Sequence, residues 1–234
     1  MSAGFAELAW QQTPMGEISL RRRREPTLDV DVFEVKLGEE FLMSSLFTVA
    51  EIALTTLGLA AVDGENLAVM VGGLGLGYTA QAALEDPRVA SVVVVEALDA
   101  VIDWHQRGLL PVSGQLVGDA RTSLVQDDFF ARMRAVPEPD RRYDAILVDI
   151  DHSPRHLLSS THSDFYTVDG LRRVARHLTE GGVFALWSDD PPDAAFEAVL
   201  SAVFASCAAH VVTFANPLTG GSSANSVYVA TMPR

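Results

Sequence analysis

Between residues 67 and 187 the chain alternates short, nearly continuous apolar runs with stretches whose apolar positions recur every three or four residues. The runs 67–71, 91–95, 115–117, 145–148 and 183–187 read as strands. Segments 78–84, 98–107, 124–134 and 168–178 read as helices, the last stopped by Gly181 and Gly182. A helix between successive strands implies parallel pairing with both sheet faces covered. The pattern changes at both ends. Segments 17–22, 31–36 and 40–43 alternate as strands do, with turn residues at Pro26 and Gly38, so residues 1–45 read as a small N-terminal β-hairpin unit. Leu46, Val49, Ile52, Ala53 and Leu57 fall at helical spacing over 45–62 and open a larger unit, 46–234. After a helix over 194–205, strands 211–214 and 227–231 read as a hairpin that adds an antiparallel strand at or near the sheet edge. The class is α/β, with a mostly parallel sheet and no internal repeat.

Composition narrows the function. Of 234 residues, 48% are hydrophobic, which excludes global disorder, and no apolar run approaches the roughly 20 residues needed to cross a bilayer. No membrane partner is expected. The net charge of −14 opposes a phosphate backbone and excludes general nucleic-acid binding. The run from Arg21 to Arg24 reads as a solvated edge strand that discourages pairing with other chains. One cysteine, Cys207, forms no internal disulfide, and with no apolar leader in view a cytoplasmic setting is expected.

The segment VMVGGLGLGYTAQAALEDPRVASVVVVE, residues 69–96, holds the chemistry. It runs strand, glycine-rich turn, helix, strand, acid, and the acid follows the glycines by the roughly 20 residues of a nucleotide-type site. Gly72, Gly73, Gly75 and Gly77 let backbone approach a ligand, the helix N-terminus offers free N–H groups, and Glu96 accepts hydrogen bonds from ribose hydroxyls. Ligands of an open α/β sheet bind beyond the carboxyl ends of its strands. On that rule Asp119 and Ala120, after the presumed strand 115–117, are candidates for contact with a base. Asp149, Asp151 and His152 are candidates for catalysis, because neighbouring carboxylates in a cleft raise one another's proton affinity. Trp104, Trp187 and Tyr166 are candidates for a pocket wall.

With the glycine loop, Glu96, GDA at 118–120 and YDAILVD at 143–149 in this order, the chain resembles class I S-adenosylmethionine-dependent methyltransferase folds, and more narrowly the spermidine synthase family of polyamine aminopropyltransferases. The resemblance implies a Rossmann-like, mostly parallel seven-stranded sheet with a C-terminal antiparallel hairpin, and a homodimer. It implies S-adenosylmethionine or its decarboxylated form as cofactor, held by the four glycines, Glu96, Asp119, Ala120 and Asp149. It also implies a small, cationic acceptor held by Glu51 and Tyr166. Where that family has an aspartate in its glycine loop this chain has Gly75, and its YHE motif reads Val49-Ala50-Glu51. Its catalytic loop, similar to DSSDP, reads Asp149-Ile150-Asp151-His152-Ser153-Pro154, with Asp151 as the catalytic acid. The lost amine-recognising residues favour methyl transfer over aminopropyl transfer, with a non-catalytic scaffold as the further alternative. No metal is favoured, although Asp149, Asp189 and Asp190 are spaced like the ligands of metal-dependent catechol-type methyltransferases.

Overall fold

The computed structural model describes residues 4–138 and 141–232. Its first four strands, β1 (Phe5–Thr13), β2 (Gly16–Glu25), β3 (Val30–Leu37) and β4 (Glu40–Ser44), form an antiparallel sheet in that order. Strand β1 adds to the three strands read from the sequence. The arginine run is not a solvated edge: β2 pairs with β1 on one side and β3 on the other. Arg23 lies 2.6 Å from both Glu25 and Glu34, and Arg24 reaches Asp29 and Asp31. Acids on β2, β3 and their connecting turn therefore neutralise part of the run inside the sheet, while Ile18 and Leu20 of the same strand are wholly buried.

Helix α1 (Val49–Ala60) leads into the larger unit, which continues β5 (Leu67–Gly72), α2 (Tyr78–Glu85), β6 (Val89–Glu96), α3 (Asp99–Gln106), α4 (Ser113–Gly118), β7 (Thr122–Gln126), α5 (Phe129–Arg134) and β8 (Tyr143–Val148). Helix α6 (Val168–Ala175), β9 (Leu178–Ser188), α7 (Ala194–Ser201), β10 (Ser206–Asn216) and β11 (Gly221–Thr231) complete it. The seven strands lie in the order β10-β11-β9-β8-β5-β6-β7. Strands β5 to β9 pair in parallel, and β11 inserts antiparallel between β9 and β10. The Rossmann-like architecture implied by the sequence is therefore borne out.

Two segments differ from the sequence reading, each for a local reason. Residues 115–117 lie in helix α4, and the strand is 122–126. As the edge strand, β7 is only partly covered along its length, so it lacks the continuous apolar run of a buried parallel strand. Gly181 and Gly182 do not stop a helix but lie within β9, where Gly181 takes φ +71° at a shift of register against β8.

Burial accounts for the layers. One apolar cluster joins Val69, Val71, Leu147 and Ala185 of the sheet to Leu54 and Trp104 of the helices and to Ile18, Leu20 and Val35 of the N-terminal sheet. The second places Phe129, Phe130, Leu171, Phe196 and Leu200 against Met70, Ile146 and Phe184 on the other face. Each such side chain removed from water stabilises the fold by about 1.5–3 kcal/mol before entropy is counted. Chain order reverses between β5 and β8, which brings the turn after Gly72 beside Asp149. Among the described residues no helix is long and apolar enough to cross a membrane.

Candidate active site

The turn between β5 and α2 is possible only with glycine at two points. Gly73 has φ +90°, and a Cβ there would stand 2.2 Å from the carbonyl oxygen of Asp149. Gly77, with φ +92°, would drive a Cβ to 2.6 Å from Leu116. No side chain caps α2, so its first N–H groups remain free for a ligand. His105, 1% exposed, braces the turn from behind: Nε2 lies 3.0 Å from the Gly75 carbonyl oxygen and Nδ1 3.3 Å from Ser113 Oγ. A carbonyl only accepts, so Nε2 donates; burial lowers the pKa of the ring.

Glu96 ends β6 across from this turn. One carboxylate oxygen accepts from the N–H of Leu74 at 2.9 Å and the other from that of Leu98 at 2.8 Å. Burial pushes its pKa up, against those backbone donors, which pull it down. Those backbone contacts fix the carboxylate beside the turn, where it lines the smaller cavity as a hydrogen-bond acceptor.

Two cavities open from the switch point and share Leu42, Met43, Gly75, Asp149, Ile150 and Leu158. The first, of about 320 Å³, is lined by Gly73, Glu96, Leu98, Asp128, Phe130 and His162 among others. The second, of about 560 Å³, holds Glu51, Asp189 and His152 among aromatic walls that include Phe41, Tyr78 and Trp187. Neither lining contains a lysine or arginine among the described residues. At the junction Asp149 accepts from Thr79 Oγ1 at 2.8 Å, and burial raises its pKa to about 6. Burial, and then the charge of Asp149, pushes Glu51 up to about 8. Two neighbouring acids that resist ionising are suited to a cation, which restores the charged form of both.

Of the candidate residues, the structure gathers Gly73, Gly75, Gly77, Glu96, Asp149, Glu51 and His152 around the two cavities. Trp187 lines the larger one, whereas Trp104 is buried in the core. Gly72 lies beneath the site, where a Cβ would strike the Phe129 ring. Four other candidates lie elsewhere. Asp119 forms an ion pair with Arg121 at 2.7 Å that lowers its pKa to about 2, and neither it nor Ala120 lines a cavity, because the loop they occupy precedes β7. Asp151 is 1% exposed and accepts from the N–H of Leu158, from His162 Nδ1 and from the Tyr166 hydroxyl, all at 2.8 Å. It fastens the loop after β8 and lines neither cavity. Tyr166 is spent on that contact, behind the site. His152, by contrast, reaches Glu40 of the N-terminal sheet at 3.1 Å.

Of the three acids spaced like metal ligands, Asp149 and Asp189 line the larger cavity and Asp190 does not. Asp190 takes Ser153 Oγ at 2.6 Å and His156 Nδ1 at 2.9 Å, while Asp189 takes Asn225. No cluster of His, Cys, Asp and Glu among the described residues is arranged to hold a metal ion. Sequence reasoning missed Asp128, Phe130 and His162, and the walls supplied by β4 and the β10–β11 hairpin. For Asp128 the signal was present: it stands two residues past the true end of β7.

No protein-family model matches the chain. It is 31% identical over 162 residues to a polyamine aminopropyltransferase of Corynebacterium efficiens, covering 65% of this chain and 30% of the relative. It is 29% identical over 133 residues to a polyamine aminopropyltransferase of Mycobacterium tuberculosis, covering 56% of this chain and 24% of the relative. The chain thus matches less than a third of either relative's length. Its fold is similar to that of a spermidine synthase solved with the transition-state analogue AdoDATO, at TM-score 0.73 and 18% identity over 96% of this chain and 73% of that one. It is less similar to human methyltransferase-like protein 13 solved with SAH, at TM-score 0.59 and 21% identity over 78% and 82%. The resemblance to the spermidine-synthase-like family, within the class I methyltransferase-like Rossmann fold, holds. The expectation of methyl transfer does not: the relatives matched in sequence are named as aminopropyltransferases.

Proposed function

We propose that this chain transfers an aminopropyl group from decarboxylated S-adenosylmethionine to a small linear amine. The observation that carries the reading is the junction at Asp149. A nucleoside-sized cavity meets an aromatic cavity holding Glu51 and Asp189, and among the described residues no lysine or arginine lines either to receive the carboxylate of the intact cofactor. The loss of the loop aspartate at Gly75 does not offset this, because Asp149 and Glu51 still place negative charge beside the sulfonium position. Glu96 and the turn at Gly73 hold the sugar, Asp128 replaces Asp119 at the base end, and Asp149 stands at the sulfonium.

The donor supplies a carbon activated by positively charged sulfur, and the protein's work is alignment and proton removal. Glu51 and Asp189 hold the distal ammonium of the acceptor, and its methylenes lie along Tyr78 and Trp187. Asp149 orients the nearer amine and takes its proton as nitrogen bonds to carbon. The carbon–sulfur bond breaks, both its electrons pass to sulfur, and methylthioadenosine leaves. The reading extends to a cytoplasmic homodimer: one cysteine suits a reducing compartment, and edge strand β1 leaves Phe5 57% and Trp10 53% exposed.

Calorimetry with the two donors tests the reading. Decarboxylated S-adenosylmethionine is expected to bind at least tenfold more tightly than the intact form. Equal affinity or the reverse order would overturn the assignment of donor, and binding of neither would leave a scaffold that keeps only the fold.

A further inference from the structure

The base end of the smaller cavity holds an arrangement that the transfer chemistry does not use. With the sugar at Glu96 and the sulfonium at Asp149, the base must lie away from the shared junction. There the walls are Asp128, Phe129 and Phe130, with Ser159, Thr161 and His162 of the loop after β8. His162 ends the 3₁₀ turn Ser160–His162, and its ring stacks on Phe130 with centroids 3.8 Å apart and planes inclined by 21°. Its Nδ1 lies 2.8 and 3.1 Å from the two carboxylate oxygens of Asp151. The His162 side chain is 14% exposed and that of Asp151 is fully buried.

We propose that His162 determines base specificity, presenting Nε2 as a fixed hydrogen-bond acceptor to the exocyclic amino group of the donor's purine. The inference rests on the donor reading above. A carboxylate has no proton to give, so Nδ1 must donate to Asp151, and in the neutral ring Nε2 is then the acceptor. Two further donors, the Leu158 N–H and the Tyr166 hydroxyl, hold Asp151 in place, and Phe130 fixes the plane of the ring. An acceptor fixed in this way favours a 6-amino purine, which donates, and disfavours a 6-keto purine, whose oxygen faces it without a shared proton. This gives the buried Asp151 a purpose other than catalysis: it sets the tautomer of the residue that reads the base.

The test is equilibrium binding of 5′-methylthioadenosine and 5′-methylthioinosine to the full chain and to two variants, with circular dichroism confirming the fold. His162→Phe keeps a ring on Phe130 and removes both nitrogens, whereas His162→Gln keeps one donor for Asp151 and one acceptor for the base. The wild-type chain is expected to prefer the adenosine form by about tenfold or more, the worth of one or two hydrogen bonds. His162→Phe should reduce that ratio at least fivefold, and His162→Gln should restore most of it. An unchanged ratio in His162→Phe, or equal loss in both folded variants, would overturn the assignment while leaving the donor reading intact. Failure of the wild-type chain to bind either nucleoside would overturn both.

Discussion

The two cavities that meet at Asp149 are built in different ways. The smaller one is shaped largely by backbone: its defining parts are the turn at Gly73 and Gly75 and the carboxylate of Glu96, itself held by two backbone donors. The larger one is shaped by side chains from distant segments: Phe41 from β4, Glu51 from α1, Trp187 from β9 and Asn225 from β11. A backbone cradle tolerates change outside its required glycines, because every residue but proline carries the N–H donor. A side-chain pocket changes with each substitution, so acceptor choice is the property free to diverge in this chain.

The strongest test of that contrast is Asp149, the ionisable residue among those common to both cavities. Asp149→Asn is expected to reduce turnover by about a hundredfold or more, within the range for loss of a proton acceptor, while methylthioadenosine still binds. Turnover within threefold of wild type, measured as methylthioadenosine release, would remove Asp149 from the mechanism. Next in size, Glu96→Ala should weaken methylthioadenosine binding by about tenfold to a hundredfold, the worth of hydrogen bonds to a charged group, and leave diamine affinity unchanged. A loss of diamine affinity of the same size would show that the cavities are not separately built.

Glu51→Gln is the mirror of that variant, with diamine affinity falling about tenfold and nucleoside affinity unaltered. It also has a signature in pH. Burial raises Glu51 from its ordinary 4.5 to about 8, and Asp149 from 3.8 to about 6. For acids shifted upward, the stability of the neutral form is complete below the ordinary value and is lost as pH climbs through the raised one. The melting temperature of the ligand-free protein should therefore fall between about pH 5 and 8, more steeply than in Glu51→Gln. A diammonium ligand favours the ionised acids, so its affinity should rise over the same interval; a flat profile in calorimetry would contradict the shift.

The smaller expected effects concern residues placed outside the site. Asp151→Asn should cost about 1–3 kcal/mol of stability, since it disturbs a buried acceptor of three donors, as read by thermal melting. A loss of turnover with no change in melting would instead return Asp151 to the reacting centre. Asp119→Asn should leave methylthioadenosine affinity within twofold of wild type, because its partner is Arg121.

The same contrast explains what the sequence disclosed. The backbone half was readable: glycines spaced for a tight turn and an acid ending the next buried strand are local patterns, and the structure sets Gly73 and Glu96 against the smaller cavity and Gly77 against the larger. Glu51 came from motif resemblance and Asp149 from its place at a strand end, and the fold brings them together across the junction. Asp128 was missed because β7 is a partly covered edge strand whose apolar signal is weak, so the acid ending it was sought one segment too early, at Asp119. Asp151 and Tyr166 look like site residues in one dimension. Only the path of the loop after β8 shows that their hydrogen bonds close on each other and on His162. No local pattern foretells that Phe41 or Asn225 would wall the acceptor pocket, since those contacts depend on how the N-terminal sheet and the last hairpin fold back over the switch point.

The most direct measurement is mass spectrometry of the products formed from decarboxylated S-adenosylmethionine and 1,4-diaminobutane, with intact S-adenosylmethionine in a parallel reaction. The account predicts the diamine extended by one aminopropyl group, in equal amount with methylthioadenosine, and no methylated product from the intact cofactor. A methylated amine with S-adenosylhomocysteine, or no product from either donor, would contradict it.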